Sequence, residues 1–217
     1  METTIKKQYL EIKMFVDNQQ IKPNESPFKE NGIFYYDISY NINTLSLELK
    51  QNPNGIPILF TTGKPSEDCK KISLSSFGII TDGESYILEK RSKSMKVFPG
   101  KLGFPGGFVE IKDNVSEDPM ESAKREIFEE LGVEITGDLQ LKCCIISCPN
   151  GVFTVMIVYE KILAIGELSS LKFKIDPKEV EEVLVLNKEE IKKIVCGESS
   201  NSFTPNIKTY FEKNINK

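Results

Sequence analysis

The chain has 217 residues, with 28 Lys and Arg against 32 Asp and Glu, no histidine and a net charge of −4. That length suits one large domain or a compact domain with a small appendage. A composition of 39% hydrophobic and 28% charged residues is ordinary for a soluble globular protein, and the mild acidity argues against a general nucleic-acid surface. Residues 1–20 carry no apolar core of signal-peptide length, and no run is long enough to cross a membrane. The cytosol is therefore the expected location, with no membrane partner. The five cysteines (Cys69, Cys143, Cys144, Cys148, Cys196) are odd in number and lie mostly in or beside apolar runs. They read as reduced, buried thiols rather than as bridges, and without histidine or a regular pair spacing they do not suggest zinc.

Taken in chain order, strand-like runs occur at 9–16, 33–40, 45–49 and 56–60, separated by turn-rich stretches such as Lys22-Pro23-Asn24-Glu25-Ser26-Pro27 and Asn52-Pro53-Asn54-Gly55. A linker at 62–68 would set this small β-rich region, 1–70, apart from a main domain over 71–200. The main domain opens with strands at 72–81 and 85–90 around an Asp82-Gly83 hairpin turn. Further strands are expected at 139–147 and 152–162, joined through Pro149-Asn150-Gly151, and at 180–186, followed by a helix over 188–195. Residues 201–217 form a tail or a helix. Strands flanked by helices make a layered α/β domain.

Between these strands lies the segment that carries the chemistry, Arg125-Glu126-Ile127-Phe128-Glu129-Glu130-Leu131-Gly132-Val133. On a helix Glu126, Glu129 and Glu130 are i, i+3 and i+4 and share a face, while Arg125 stands four residues before Glu129. Like charges so placed repel by a few tenths of a kcal/mol per pair, on the order of 0.2–0.5. A hard divalent cation bound by carboxylate oxygens would relieve them. Asp118-Pro119 with Glu121 reads as an N-cap, a proline at N1 and a capping-box acid, and Gly132 as the αL stop. Met120, Ala123, Ile127 and Leu131 supply the apolar stripe. Upstream, Phe104-Pro105-Gly106-Gly107-Phe108 has the make-up of a tight turn where backbone can approach an ion or ligand.

Gly107 through Val133 resembles the Nudix box, G-x5-E-x7-R-E-U-x-E-E-x-G-U with U aliphatic. Its second half matches without a gap from Glu117 onward. Nine residues rather than five separate Gly107 from Glu117, a four-residue insertion, so Glu110 and Asp113 stand as rivals to Glu117 for the loop carboxylate. The resemblance covers roughly residues 73–195. It implies an α/β/α sandwich and a hydrolase that cleaves a nucleoside diphosphate linked to another group, with Mg2+ or Mn2+ as cofactor and a small nucleotide as partner. It also implies metal ligands at Glu126, Glu129, Glu130 and the Gly106 carbonyl, with these glutamates and Arg125 as the catalytic set. Arg125 would orient Glu129 rather than touch substrate.

Substrate contacts are expected from Glu110, Glu117 and above all Arg91. Arg91 lies in a cluster of five cations with Lys90, Lys93, Lys96 and Lys101, and its planar guanidinium suits phosphate best. The run Arg91-Ser92-x5-Phe98-x-Gly100-x3-Phe104-Pro105-Gly106-Gly107 and the later Asp176-Pro177-Lys178-Glu179-Val180 are similar to segments of coenzyme A-cleaving Nudix enzymes. Phe98 stands where those enzymes usually carry histidine. The competing reading is a catalytically weak Nudix-fold module that binds nucleotide or protein; a third, compatible with an active enzyme, makes the amino-terminal region a docking or dimerising element beside it.

Overall fold

A computed structural model describes residues 13–21, 33–60, 71–112, 115–147 and 152–215. The expected linker at 62–68, the turn at 149–151, Asp113, Cys69 and Cys148 lie outside them. The strands are β1 (Lys13–Val16), β2 (Gln19–Ile21), β3 (Ile33–Asn41), β4 (Ser46–Gln51), β5 (Ile56–Phe60), β6 (Lys71–Thr81), β7 (Ser85–Arg91), β8 (Leu102–Gly103), β9 (Gly106–Phe108), β10 (Ile111–Lys112), β11 (Val115–Ser116), β12 (Gln140–Ser147), β13 (Val152–Ile162) and β14 (Val180–Asn187). The helices are α1 (Pro119–Leu131), α2 (Glu167–Ser170), α3 (Lys188–Val195) and α4 (Pro205–Asn214).

One mixed sheet runs β14-β7-β6-β13-β12-β5-β3-β4-β1-β2, with β8 on β7 and β9 on β6. Its spine is the parallel pairing of β6 with β13, in register from Lys71 against Val152 to Thr81 against Ile162. The strand pattern explains the layers, because neighbouring residues point to opposite faces. Ile80 and Ile87 pack with Ile127 and Leu131 of α1, whereas Ile79 and Leu88 pack with Ile191 and Ile194 of α3 and Ile207, Tyr210 and Phe211 of α4. Helices on both faces of the sheet make the α/β/α sandwich.

The amino-terminal strands extend this same sheet. β5 lies parallel to β12, with Ile58 opposite Cys144 and Leu59 opposite Ile145. Beneath the junction a single apolar cluster holds Met14, Leu47, Leu49 and Ile58 together with Leu74, Val109, Ile146 and Ile157. The buried thiol of Cys144 belongs to this cluster, that of Cys143 to the cluster under α3 and α4, and Cys196 is exposed.

Helix α1 is seated where its sequence requires. Asp118 Oδ1 accepts the backbone N–H groups of Met120 (2.8 Å) and Glu121 (3.4 Å), with Pro119 at the first helical position. Glu121 completes no capping box and pairs instead with Lys124 Nζ at 2.8 Å. Gly132, at φ 68°, ends the helix in the left-handed region and donates its N–H to the Phe128 carbonyl. The helix can approach β6 closely because Gly78 has no side chain; a Cβ there would run into Ile127.

Candidate active site

The four extra residues of the loop do not displace Glu117. They are taken up in a hairpin of β10 and β11, in which Ile111 faces Ser116 and Lys112 faces Val115. The hairpin closes on itself when Glu117 N–H donates to the Glu110 carbonyl at 2.8 Å. Glu117 thus reaches the helix, and its carboxylate accepts both Nε and Nη2 of Arg125 at 3.0 Å. Glu110 stays exposed beside it, its N–H 3.4 Å from Glu117 Oε2.

Arg125 is the hub of a first acid cluster. Besides Glu117 it donates from Nη1 to Glu126 Oε1 and to Glu129 Oε2, each at 2.9 Å. Burial works against its charge, but Glu117 and Glu126 more than offset that and hold its pKa above the ordinary arginine range. Burial also opposes ionisation of Glu117, yet its bonds to Arg125 leave that carboxyl below its usual range. The three box glutamates expected to act together are split. Glu126 and Glu130 are buried and line a cleft, while Glu129 is exposed, turned to Arg125, and does not line it. Gly107 permits this, since a Cβ there would collide with the Glu126 carboxylate.

A second acid cluster was not foreseen. Glu89 on β7 is 0% exposed, and Glu130 is 3% exposed. Glu130 Oε2 accepts the N–H of Gly106 at 2.8 Å, and its carboxyl lies within hydrogen-bonding reach of Glu89. Burial pushes the Glu130 carboxyl up to about 11, with the charges of Glu89 and then Glu126 adding to the effect. Burial likewise lifts Glu89 to about 7, against the pull of Arg91. That arginine's Nη1 stands 3.3 Å from Glu89 Oε1, and its Nε donates to the Val97 carbonyl at 3.2 Å. Two carboxylates facing one another have acceptors and no donor, so a proton or a cation must lie between them. The only hint in the sequence was an acid amid the apolar residues of β7.

Whether a divalent cation suits these residues can be judged from that imbalance. Glu89 Oε2 is buried without a hydrogen-bond partner among the described residues. The neighbouring donors are all hard, anionic oxygens, the chemistry that Mg2+ and Mn2+ prefer. Among the described residues no three such side chains already enclose one point, because Glu129 is held by Arg125. The residues fit the ion in kind, with Glu126 and Glu130 in the cleft and Glu129 one helical turn from Glu126 on the same helix.

The cleft itself has a volume of about 510 Å3. Glu126, Glu130, Gly106 and Gly107 line it, together with Arg91, Ser94 and Lys96. Phe77, Met95, Phe98 and Met156 give it an apolar lining. Ser147, 2% exposed, also lines it, and its hydroxyl has no partner among the described residues. Phe98 adopts φ 52°, a left-handed conformation that a non-glycine residue rarely takes. The cleft therefore offers anionic, cationic and apolar surfaces together, a combination suited to a molecule with phosphates and an organic body.

Comparison with known proteins agrees. The NUDIX domain family model matches residues 73–199. No curated protein matches the chain. Among solved structures, the MutT protein from Methanosarcina mazei Go1 superposes with a TM-score of 0.51 at 21% identity, over 65% of this chain and 91% of that one. The MutT NUDIX hydrolase from Burkholderia pseudomallei gives 0.49 at 21% identity, over 65% and 98%. The NUDIX domain of Shewanella oneidensis NrtR, crystallised with ADP ribose, gives 0.48 at 17% identity, over 66% and 88%. At such identities the first of these likenesses speaks for the fold.

Proposed function

The chain belongs to the Nudix family, and we propose that this hydrolase uses Mg2+ or Mn2+ to cleave the pyrophosphate of a nucleoside diphosphate joined to a second group. The observation that carries the reading is the cleft, in which the buried carboxylates of Glu126 and Glu130 share one space with Arg91. Glu126, Glu129 and Glu130, with the peptide of Gly106, would hold the metal. When bound, such an ion neutralises phosphoryl charge and favours deprotonation of water.

The protein's own residues would do the rest. Arg91 holds a phosphate that does not react, freeing its guanidinium from a long contact with Glu89. Arg125 keeps Glu126 and Glu129 in place without touching substrate. A water oxygen forms the new bond to phosphorus while the bridging P–O bond breaks and its electrons leave with the departing phosphate. A box carboxylate takes the water's proton. The apolar lining receives the organic part of the substrate. Coenzyme A is the first compound to try, because the segment from Arg91 to Gly107 is similar to that of coenzyme A-cleaving members.

The test is a panel of nucleoside diphosphate-X compounds with Mg2+ or Mn2+, read by product mass. Release of adenosine 3′,5′-bisphosphate and phosphopantetheine from coenzyme A is the expected result for that substrate. Cleavage of another member alone would move the assignment to that compound. Tight binding with no turnover of any member would overturn the catalytic reading.

A further inference from the structure

Neither the amino-terminal strands nor the loop insertion is used by the site as described so far, yet a hydrogen-bonded chain joins them. Tyr40, near the end of β3, donates its hydroxyl to Ser116 Oγ at 2.9 Å. Ser116, buried in β11, passes its own proton to the Glu117 carbonyl at 2.9 Å. Glu117 then grips Arg125 through two parallel bonds, and Arg125 holds Glu126 and Glu129. On the other side of the hairpin, Val109 is packed in the apolar cluster that contains Met14, Leu47 and Leu49. Both ends of the insertion are thus anchored to the amino-terminal part of the sheet. Ser116 is held in the β10–β11 hairpin that takes up the insertion, and Tyr40 belongs to the part of the sheet that extends beyond β12.

We propose that Tyr40 is a positioning residue for the carboxylate site: through Ser116 it fixes the inserted hairpin so that Glu117, and not the metal-facing glutamates, takes the larger share of Arg125. The physical reason is competition for one guanidinium. If the hairpin loosens, Glu117 loses its bidentate geometry. Arg125 then turns fully to Glu126 and Glu129, and tied in that way these carboxylates are poorer ligands for a cation. The amino-terminal strands accordingly tune metal affinity from a distance, by a contiguous path of named bonds. This inference rests on the metal-dependent reading above.

The experiment is Mn2+ binding to the full, metal-free chain, followed by the electron paramagnetic resonance of the free ion, alongside steady-state kinetics. In Tyr40→Phe the Mn2+ dissociation constant is expected to rise about threefold to tenfold, the value of one partly buried hydrogen bond. Turnover at limiting metal should fall with it, while KM for the nucleotide at saturating metal and the melting temperature stay as in the parent. Ser116→Ala should reproduce the effect. Combined with Glu117→Gln, Tyr40→Phe should add little, because both act on one chain of bonds. Unchanged Mn2+ affinity in Tyr40→Phe and Ser116→Ala, or full additivity with Glu117→Gln, overturns the inference alone. A parent that binds no Mn2+ overturns it together with the metal-dependent reading.

Discussion

Two acid clusters adjoin along the same helix and are built on opposite principles. Around Arg125 the protein provides its own cation: Glu117, Glu126 and Glu129 each accept from one guanidinium, which compensates part of their charge in place. Around Glu130 it does not. Glu89 and Glu130 are more deeply buried, and Arg91 offers them a single contact, its Nη1 standing 3.3 Å from Glu89 Oε1. A pair of buried carboxylates with so little compensation costs several kcal/mol, on the order of the penalty for stranding an ion. The first cluster is a strut, and the second is a socket. The contrast teaches that the acids around Arg125 are compensated in part from within the chain, while the buried pair waits for charge from outside.

The largest effect should come from emptying the socket of charge. Glu130→Gln keeps an oxygen to accept the Gly106 N–H but removes the charge that recruits metal. Turnover should drop by roughly 10²–10³ with the fold intact by circular dichroism. Glu129→Gln, which also removes a bond from the strut, should lose a comparable amount. Near-parental turnover of both at saturating Mg2+ would mean that the socket is structural only.

Arg91 sharpens the comparison at its one shared point. Arg91→Ala should lower kcat/KM by tenfold or more, from a charge-assisted phosphate contact worth about 1.5–3 kcal/mol. Arg91→Lys should restore part of the loss, since an ammonium lacks the planar fork. If Arg91→Ala leaves kcat/KM unaltered at low and high salt, the residue serves Glu89 and not substrate.

The smallest effect is thermodynamic. Glu130 and Glu89 have folded-state pKa values raised above the unfolded ones, to about 11 and about 7. The folded protein therefore binds more protons than the unfolded chain, and stability falls as pH rises from the unfolded value of about 4.5 toward those folded values. Stripped of metal, the protein should melt at progressively lower temperature from pH 5 to pH 9. Millimolar Mg2+ should recover most of the loss at the alkaline end, and Glu130→Gln should flatten the profile. A metal-free melting temperature that does not decline over this range would remove the distinction between the two clusters.

The strut was legible in the sequence and the socket was not, for a physical reason. Arg125 and Glu129 are four apart on one helix, and the caps of α1 are local chemistry, so spacing alone places them. The strand and helix pattern from Ser85 to Val195 is equally local, and most bounds lie within a residue of expectation. Glu89 and Glu130 are 41 positions apart in the chain, and nothing in the alternation of β7 says that its acid faces a buried partner instead of solvent. Ser147 is hidden for the same reason. The β10–β11 hairpin was missed because its strands have two residues each, too few for periodicity to register. The rivalry among Glu110, Asp113 and Glu117 for the loop position turned on that hairpin, which brings Glu117 to Arg125 and leaves Glu110 exposed.

The parallel joint between β5 and β12 also sets a timetable for synthesis. Strands β1 to β5 are made before the rest of the sheet and pair among themselves. The partner that covers the flank of β5 begins at Gln140, eighty residues after Phe60. During that interval β5 presents an open row of backbone donors and acceptors with Ile56, Ile58 and Leu59 beside it, the surface on which nascent chains join one another edge to edge. Closure comes only when β12 has been made and pairs with β5; β13, which follows it in the chain, then joins β12 to β6.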